Sequence, residues 1–190
     1  REFTDSTCKI CGLTNLDAEA KPHGVFAKLV VKCPRCGPYE ITELAEAVVP
    51  SQAISDKMHL LSGAIRHFYE NGFDPFKVDS TLLEDSHVFS DKVEALAPKG
   101  IEEKYSLVLH YFGRRSAHPG AQVSADAYDY PVGFCKNETE LFYLLDYLEK
   151  AGLIETLAND GKQWHGRISP AGWAWLETQR QVNSTSVQGF

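Results

Sequence analysis

CKICG at Cys8–Gly12 and CPRCG at Cys33–Gly37 are two copies of one short phrase, and together they read C-x2-C-x21-C-x2-C. Two residues between cysteines let a tight turn aim both sulfurs of a pair at one ion. The glycine after each second cysteine takes the positive φ that turns backbone amides toward the sulfurs. Four thiolates suit the tetrahedral preference of Zn²⁺; iron with the same four ligands is the alternative that the sequence leaves open. With every position filled by protein, such a site has no place for a substrate. Cys8, Cys11, Cys33 and Cys36 are therefore expected to hold a fold together rather than to catalyse.

Between the knuckles, Gly24–Lys32 is β-branched and apolar, and Tyr39-Glu40-Ile41 follows the second one. Strand, knuckle, strand is the plan of a zinc ribbon. Thr42 reads as an N-cap for a short helix carrying Leu44, Ala45 and Val48, stopped by Pro50. A second helix is expected over 55–70, with Met58, Leu61, Ile65 and Phe68 on one face and Asn71-Gly72 as its stop. Residues 73–100 hold breakers at Asp74-Pro75 and Pro98-Lys99-Gly100, with short helices expected at 81–83 and 92–96. Ile101, Tyr105, Val108, Leu109 and Phe112 then form a helical stripe ending in Gly113-Arg114-Arg115. Residues 116–136 read as loop.

Asn137 with Glu140 three residues on is a capping box, opening a helix with Leu141, Leu144, Leu145 and Leu148 in its stripe. Phe142, Tyr143 and Tyr147 are expected to widen that stripe. Leu153-Ile154-Glu155 reads as a strand, Asn159-Asp160-Gly161 as a hairpin turn and 163–168 as the return strand. Ser169-Pro170 starts a last helix with Trp173 and Leu176. The expected class is α+β, mainly helical: a zinc ribbon over 1–50, a helical region over 51–130, and a winged-helix module over 131–190.

The chain has 190 residues, 43% of them hydrophobic, with 26 acidic against 19 basic side chains. No segment is basic, so the clustered Lys and Arg that displace counterions from nucleic acid are missing at the domain level. No apolar run approaches the roughly 20 residues a membrane-spanning helix needs, and no signal-peptide pattern is present. A cytoplasmic setting is expected, where cysteine pairs bind metal more often than they form disulfides. The fifth cysteine, Cys135, reads as a small partly buried thiol. The chain begins Arg1-Glu2-Phe3, and Ser186–Phe190 reads as the opening of a further domain.

From helix 137–151 through "AGLIE" to "SPAGWAWLE", residues 137–182 resemble winged-helix modules with a Gly-Leu-Ile strand, a short wing and a Thr/Ser-Pro-x-Gly helix start. A wider resemblance covers most of the chain. It joins the CxxCG…CPRCGxYxIT ribbon, the Leu61-Ser62-Gly63-Ala64-Ile65-Arg66 helix and the "GLI…SPAGW" wing. In this the chain is similar to the amino-terminal region of bacterial multidomain proteins whose next domain is Toll/interleukin-receptor-like or nucleoside deoxyribosyltransferase-like. That resemblance implies a sensing or docking half for an effector domain beyond Phe190, with a role in antiviral defence.

Two further sites are candidates. Arg66 and His67 on one helix, with His110, Arg114, Arg115 and His118 on and after another, could converge on a phosphate-bearing, nucleotide-like ligand. The wing offers Lys162, Trp164, His165 and Arg167 to DNA, against a preceding helix rich in carboxylates. No HExxH, P-loop or GxSxG is present, and the chain itself is expected not to be an enzyme. The expected role is a regulatory module recognising a partner protein or nucleotide-like ligand, with self-association as a further option. The alternative is a self-contained DNA-binding regulator.

Overall fold

The structure is a computed structural model that describes residues 7–14, 17–23, 26–49 and 52–186. The expectations placed on Arg1–Phe3, on Gly24-Val25, on the Pro50 stop and on Gln188–Phe190 lie outside the described residues. The chain divides into two compact units. One comprises residues 1–98 with 134–136, and the other residues 99–133 with 137–190. The ribbon and the helices after it thus share a unit, and helix 101–115 belongs with the carboxyl-terminal elements.

In the first unit β1 (Asp17–His23), β2 (Phe26–Cys33) and β3 (Gly37–Thr42) pair antiparallel in sequence order. β4 (Phe76–Val78) then joins β3 in parallel, with Tyr39 opposite Phe76. Along β3, Tyr39 and Ile41 turn inward while Pro38 and Glu40 turn outward, the period of two that puts one face of a sheet on a core. Thr42 Oγ1 accepts from Ala45 N at 3.2 Å and so caps α1 (Glu43–Val48), as its position implied.

Helix α2 (Met58–Glu70) follows a 3₁₀ turn at Gln52–Lys57 and buries Leu61, Ser62, Gly63, Ala64, Ile65 and Arg66. Phe68 meets Phe76 of β4 edge to face at 4.9 Å. Residues beyond β4 form α3 (Ser80–Glu84), α4 (Ser86–Phe89) and a π turn at Ser90–Glu94, which bring Leu82, Leu83, Phe89 and Val93 into the core. The Phe134–Lys136 segment also belongs here. Phe134 sits at φ 54°, an unusual place for a bulky residue, and its ring fills the space above Gly63. A Cβ at Gly63 would come 2.4 Å from that ring.

The second unit runs α5 (Ile101–Arg115), β5 (Gln122–Asp126), a 3₁₀ helix at Ala127–Gly133, α6 (Glu138–Lys150), β6 (Ile154–Asn159), β7 (Gln163–Ile168) and α7 (Pro170–Ser186). Its sheet has the order β5-β7-β6, antiparallel throughout. The β6–β7 turn is made by Asp160, whose carboxylate accepts from Lys162 N and Gln163 N, with Gly161 at φ 82°. These two amides hold the Asp160 carboxyl below its usual range. Asn137 Oδ1 accepts from Glu140 N at 3.0 Å, and Leu141, Leu144, Leu145 and Leu148 are buried.

Several expectations change. Residues 116–136, read as loop, contain β5 and the 3₁₀ helix; β5 alternates outward and inward, with only Val123 and Ala125 to mark its buried face. Tyr143 does not widen the buried stripe of α6 but is exposed, whereas Tyr147, at its edge and 38% exposed, stacks on Tyr105 of α5 at 5.2 Å. Ile101 is exposed, and Tyr111 takes the buried place instead, its hydroxyl donating to Asp129 Oδ1 at 2.7 Å. Cys135 is wholly buried.

Candidate metal centre

Each knuckle is a tight turn. In the first, Gly12 N donates to Cys8 O at 2.8 Å and Cys8 N to Leu13 O at 2.7 Å, with Gly12 at φ 73°. In the second, Cys36 N donates to Cys33 Sγ at 3.4 Å and Gly37 sits at φ 92°. The second glycine is needed for a further reason: a Cβ there would lie 2.9 Å from Tyr69 Cβ. Arg35 Nη1 donates to Cys11 O at 3.0 Å, joining the second knuckle to the first.

These turns bring Cys8, Cys11, Cys33 and Cys36 together, with all four sulfurs within 4.8 Å of one another. Cys8 and Cys36 Sγ are 3.9 Å apart, and Cys11 and Cys33 Sγ 3.6 Å, too far for a bond and right for ligands around one centre. Thiols so placed cannot all ionise unaided. Hydrogen bonding from Cys11 drives Cys8 well below the ordinary thiol range and lowers Cys33 too. Cys11, facing Cys33, and Cys36, facing Cys11, are driven up. A central cation is what allows four thiolates in so small a space. The arrangement suits a metal ion.

The α2 helix completes the centre. Ser62 Oγ lies 3.1 Å from Cys36 Sγ, and Tyr39 Oη, on β3, lies 3.3 Å from Cys8 Sγ. Burial, then the neighbouring Cys8, pushes the Tyr39 hydroxyl up, so it stays protonated and can donate. Four residues after Ser62, Arg66 is buried and donates through Nη1 to Pro34 O at 3.1 Å and Arg35 O at 2.9 Å. Its Nε donates to Glu70 Oε1 at 2.8 Å. Replacing Ser62 by Ala is expected to weaken metal retention roughly tenfold, read as faster transfer to a chromogenic chelator. Equal transfer rates would reduce Ser62 to a packing residue.

The other candidate residues fall in both units. Arg66 is committed to the second knuckle's carbonyls rather than to solvent. His67 is partly exposed, its Nδ1 3.4 Å from Asn71 Nδ2. In the second unit, His110 Nδ1 lies 2.8 Å from Ser106 O, and its ring meets Trp175 edge-on at 5.8 Å. Arg115 stacks 4.4 Å from the centre of the Tyr111 ring; Arg114 and His118 are exposed. On the β6–β7 hairpin, Lys162, His165 and Arg167 are exposed, and Arg167 pairs with Glu155. Trp164 is not a surface platform. It is 1% exposed, stacks on Phe112 at 5.0 Å and donates from Nε1 to Thr156 Oγ1 at 2.9 Å.

Among the described residues, no helix is long and apolar enough to cross a membrane. No family model, curated protein or solved structure matches the chain.

Proposed function

We propose that the chain is a non-catalytic recognition module, stapled by zinc in its first unit and built as a winged helix in its second. Ligands at about 2.3 Å from a tetrahedral Zn²⁺ stand about 3.8 Å apart, and the sulfur separations of 3.6 and 3.9 Å bracket that value. Iron has the same ligand set as its second claimant. For the second unit, the succession helix, strand, short helix, helix, two-stranded wing, with sheet order β5-β7-β6, supports the winged-helix reading. Four reduced cysteines suit the reducing interior of a cell.

The observation that carries the function is the outward face of α6, which occupies the recognition-helix position before the wing. Glu138, Asp146 and Glu149 are exposed there beside Tyr143 and Tyr147. The only basic side chain on the helix, Lys150, is held by Asp146 at 2.6 Å. A duplex presents one negative charge per about 1.7 Å of axis, and this face would meet it with carboxylates. Exposed tyrosines ringed by charge are instead common in protein interfaces. The resemblance to bacterial multidomain proteins supports placing the module as the regulatory half of an effector, in antiviral defence, with a protein partner or a nucleotide-like ligand as its cue.

Titration of the metal-loaded chain into labelled duplex DNA at about 50 mM salt tests this reading. The expected result is no saturable binding. Micromolar affinity that falls steeply with salt and drops on replacing Lys162 and Arg167 would instead establish the DNA-binding regulator.

A further inference from the structure

The loop between α5 and β5, the β6–β7 pair and the start of α7 enclose a cleft of about 380 Å³ in the second unit. Pro119 and Gly120 of the loop, Glu155, Arg167 and Ile168 of the strands, and Pro170 and Trp173 of the helix line it. Its volume lies within the range of small-molecule sites, about 300–1,000 Å³. The cleft brings together two stretches of the sequence, the Pro119-Gly120 turn next to the candidate His118 and the wing residue Arg167.

Its chemistry is selective. Arg167 donates from Nε at 2.7 Å and Nη2 at 2.6 Å to the single oxygen Oε2 of Glu155. That pair holds the guanidinium on the strand through Nε and Nη2, and Nη1 takes no part in it. Pro119, Ile168 and Pro170 make the lining largely apolar, and Trp173 brings an indole to it. The Trp173 indole Nε1 is buried without an acceptor, whereas the Trp164 indole has Thr156.

We propose that this cleft binds a nucleoside phosphate, with its base packed against Trp173 and its phosphate on Arg167. An aliphatic acid would use the guanidinium and leave the aromatic wall idle; a neutral ring would do the reverse. The net charge of −7 opposes a long polyanion more than a single nucleotide. This inference deepens the recognition-module reading and rests on it.

The test uses the metal-loaded full chain with indole N–H resonances assigned through Trp→Phe variants. The four common nucleoside monophosphates, inorganic phosphate and a single-stranded oligonucleotide are each titrated. At least one mononucleotide is expected to bind saturably and to move the Trp173 indole resonance, leaving that of Trp164 in place. Arg167→Ala should weaken binding at least tenfold and Trp173→Phe several-fold, while Lys92→Ala leaves it unchanged. A saturable, salt-steep shift of the same resonance with the oligonucleotide alone would keep the nucleotide chemistry and assign its source to a strand. Phosphate acting as well as any nucleotide, or no movement at the Trp173 resonance with any probe, overturns the proposal. The recognition-module reading falls separately, on duplex binding.

Discussion

Replacing Cys36 by Ser, or stripping the metal with a strong chelator, is expected to unfold the first unit. Cys36 is wholly buried, and its sulfur faces both Cys8 and the Ser62 hydroxyl of α2. Losing it removes one of the four clustered sulfurs and the point where α2 meets them. Structural zinc in small domains supplies apparent binding energies of about 10–16 kcal/mol, more than the stability of most domains. The consequence should reach past the knuckles. Arg66 is held by the carbonyls of Pro34 and Arg35, which point correctly only while the second knuckle is closed. Once it opens, a buried guanidinium loses two acceptors, and the docking of α2 is left to its apolar contacts. All three tryptophans lie in the second unit, whose core includes the Phe112–Trp164 stack. Tryptophan fluorescence and near-ultraviolet dichroism should therefore persist while amide protection across β2, β3 and α2 is lost. A Cys36→Ser chain that keeps full protection and its metal would remove the staple from the account.

What was legible in the sequence follows from how locally each feature is encoded. The cysteine cluster could be read because ligand identity and turn geometry are written within five residues. Helix α6 and the β6–β7 hairpin could be read because a capping box and an Asn-Asp-Gly turn fix their ends. β4 could not: three residues following Asp74-Pro75 become a strand only because β3 lies alongside in parallel. β1 was hidden by its composition, DAEAKPH, tolerable only at a sheet edge, where Pro22 needs no partner for its missing N–H. The candidate site was misread in one instructive place. Arg66 looked like a cation for a ligand phosphate, yet its partners are carbonyls 31 and 32 residues earlier in the chain. Ser62 was legible only as part of a resemblance. Its reason, a sulfur 26 residues away, is tertiary.

Gly172→Ala is expected to destabilise the second unit by about 2–3 kcal/mol, although alanine is the better helix former. Gly172 lies in the first turn of α7, where a Cβ would come 2.1 Å from Leu153 O and 2.8 Å from Ile168 Cγ2. Neither neighbour can yield easily. Leu153 O accepts from Ser169 N at 3.1 Å, and Ser169 Oγ both donates to Gly152 O at 2.6 Å and accepts from Gly172 N at 3.0 Å. The Ser-Pro-x-Gly phrase is thereby accounted for. Serine ties the helix start to the chain entering β6, proline opens the helix without needing a donor, and glycine leaves room for the carbonyl that serine holds. Gly113→Ala is the matched comparison. It lies inside α5, and its nearest neighbour is the far end of the Leu176 side chain, 3.0 Å away, rather than a backbone carbonyl. Its cost should stay within about 1 kcal/mol, because helix propensity offsets a small repacking. Melting followed by tryptophan dichroism should show a fall of roughly 5–15 °C for Gly172→Ala and little change for Gly113→Ala. Equal losses at both positions would mean that helix packing in general sets the cost. The contact between the α7 start and the strand before it would then lose its special role.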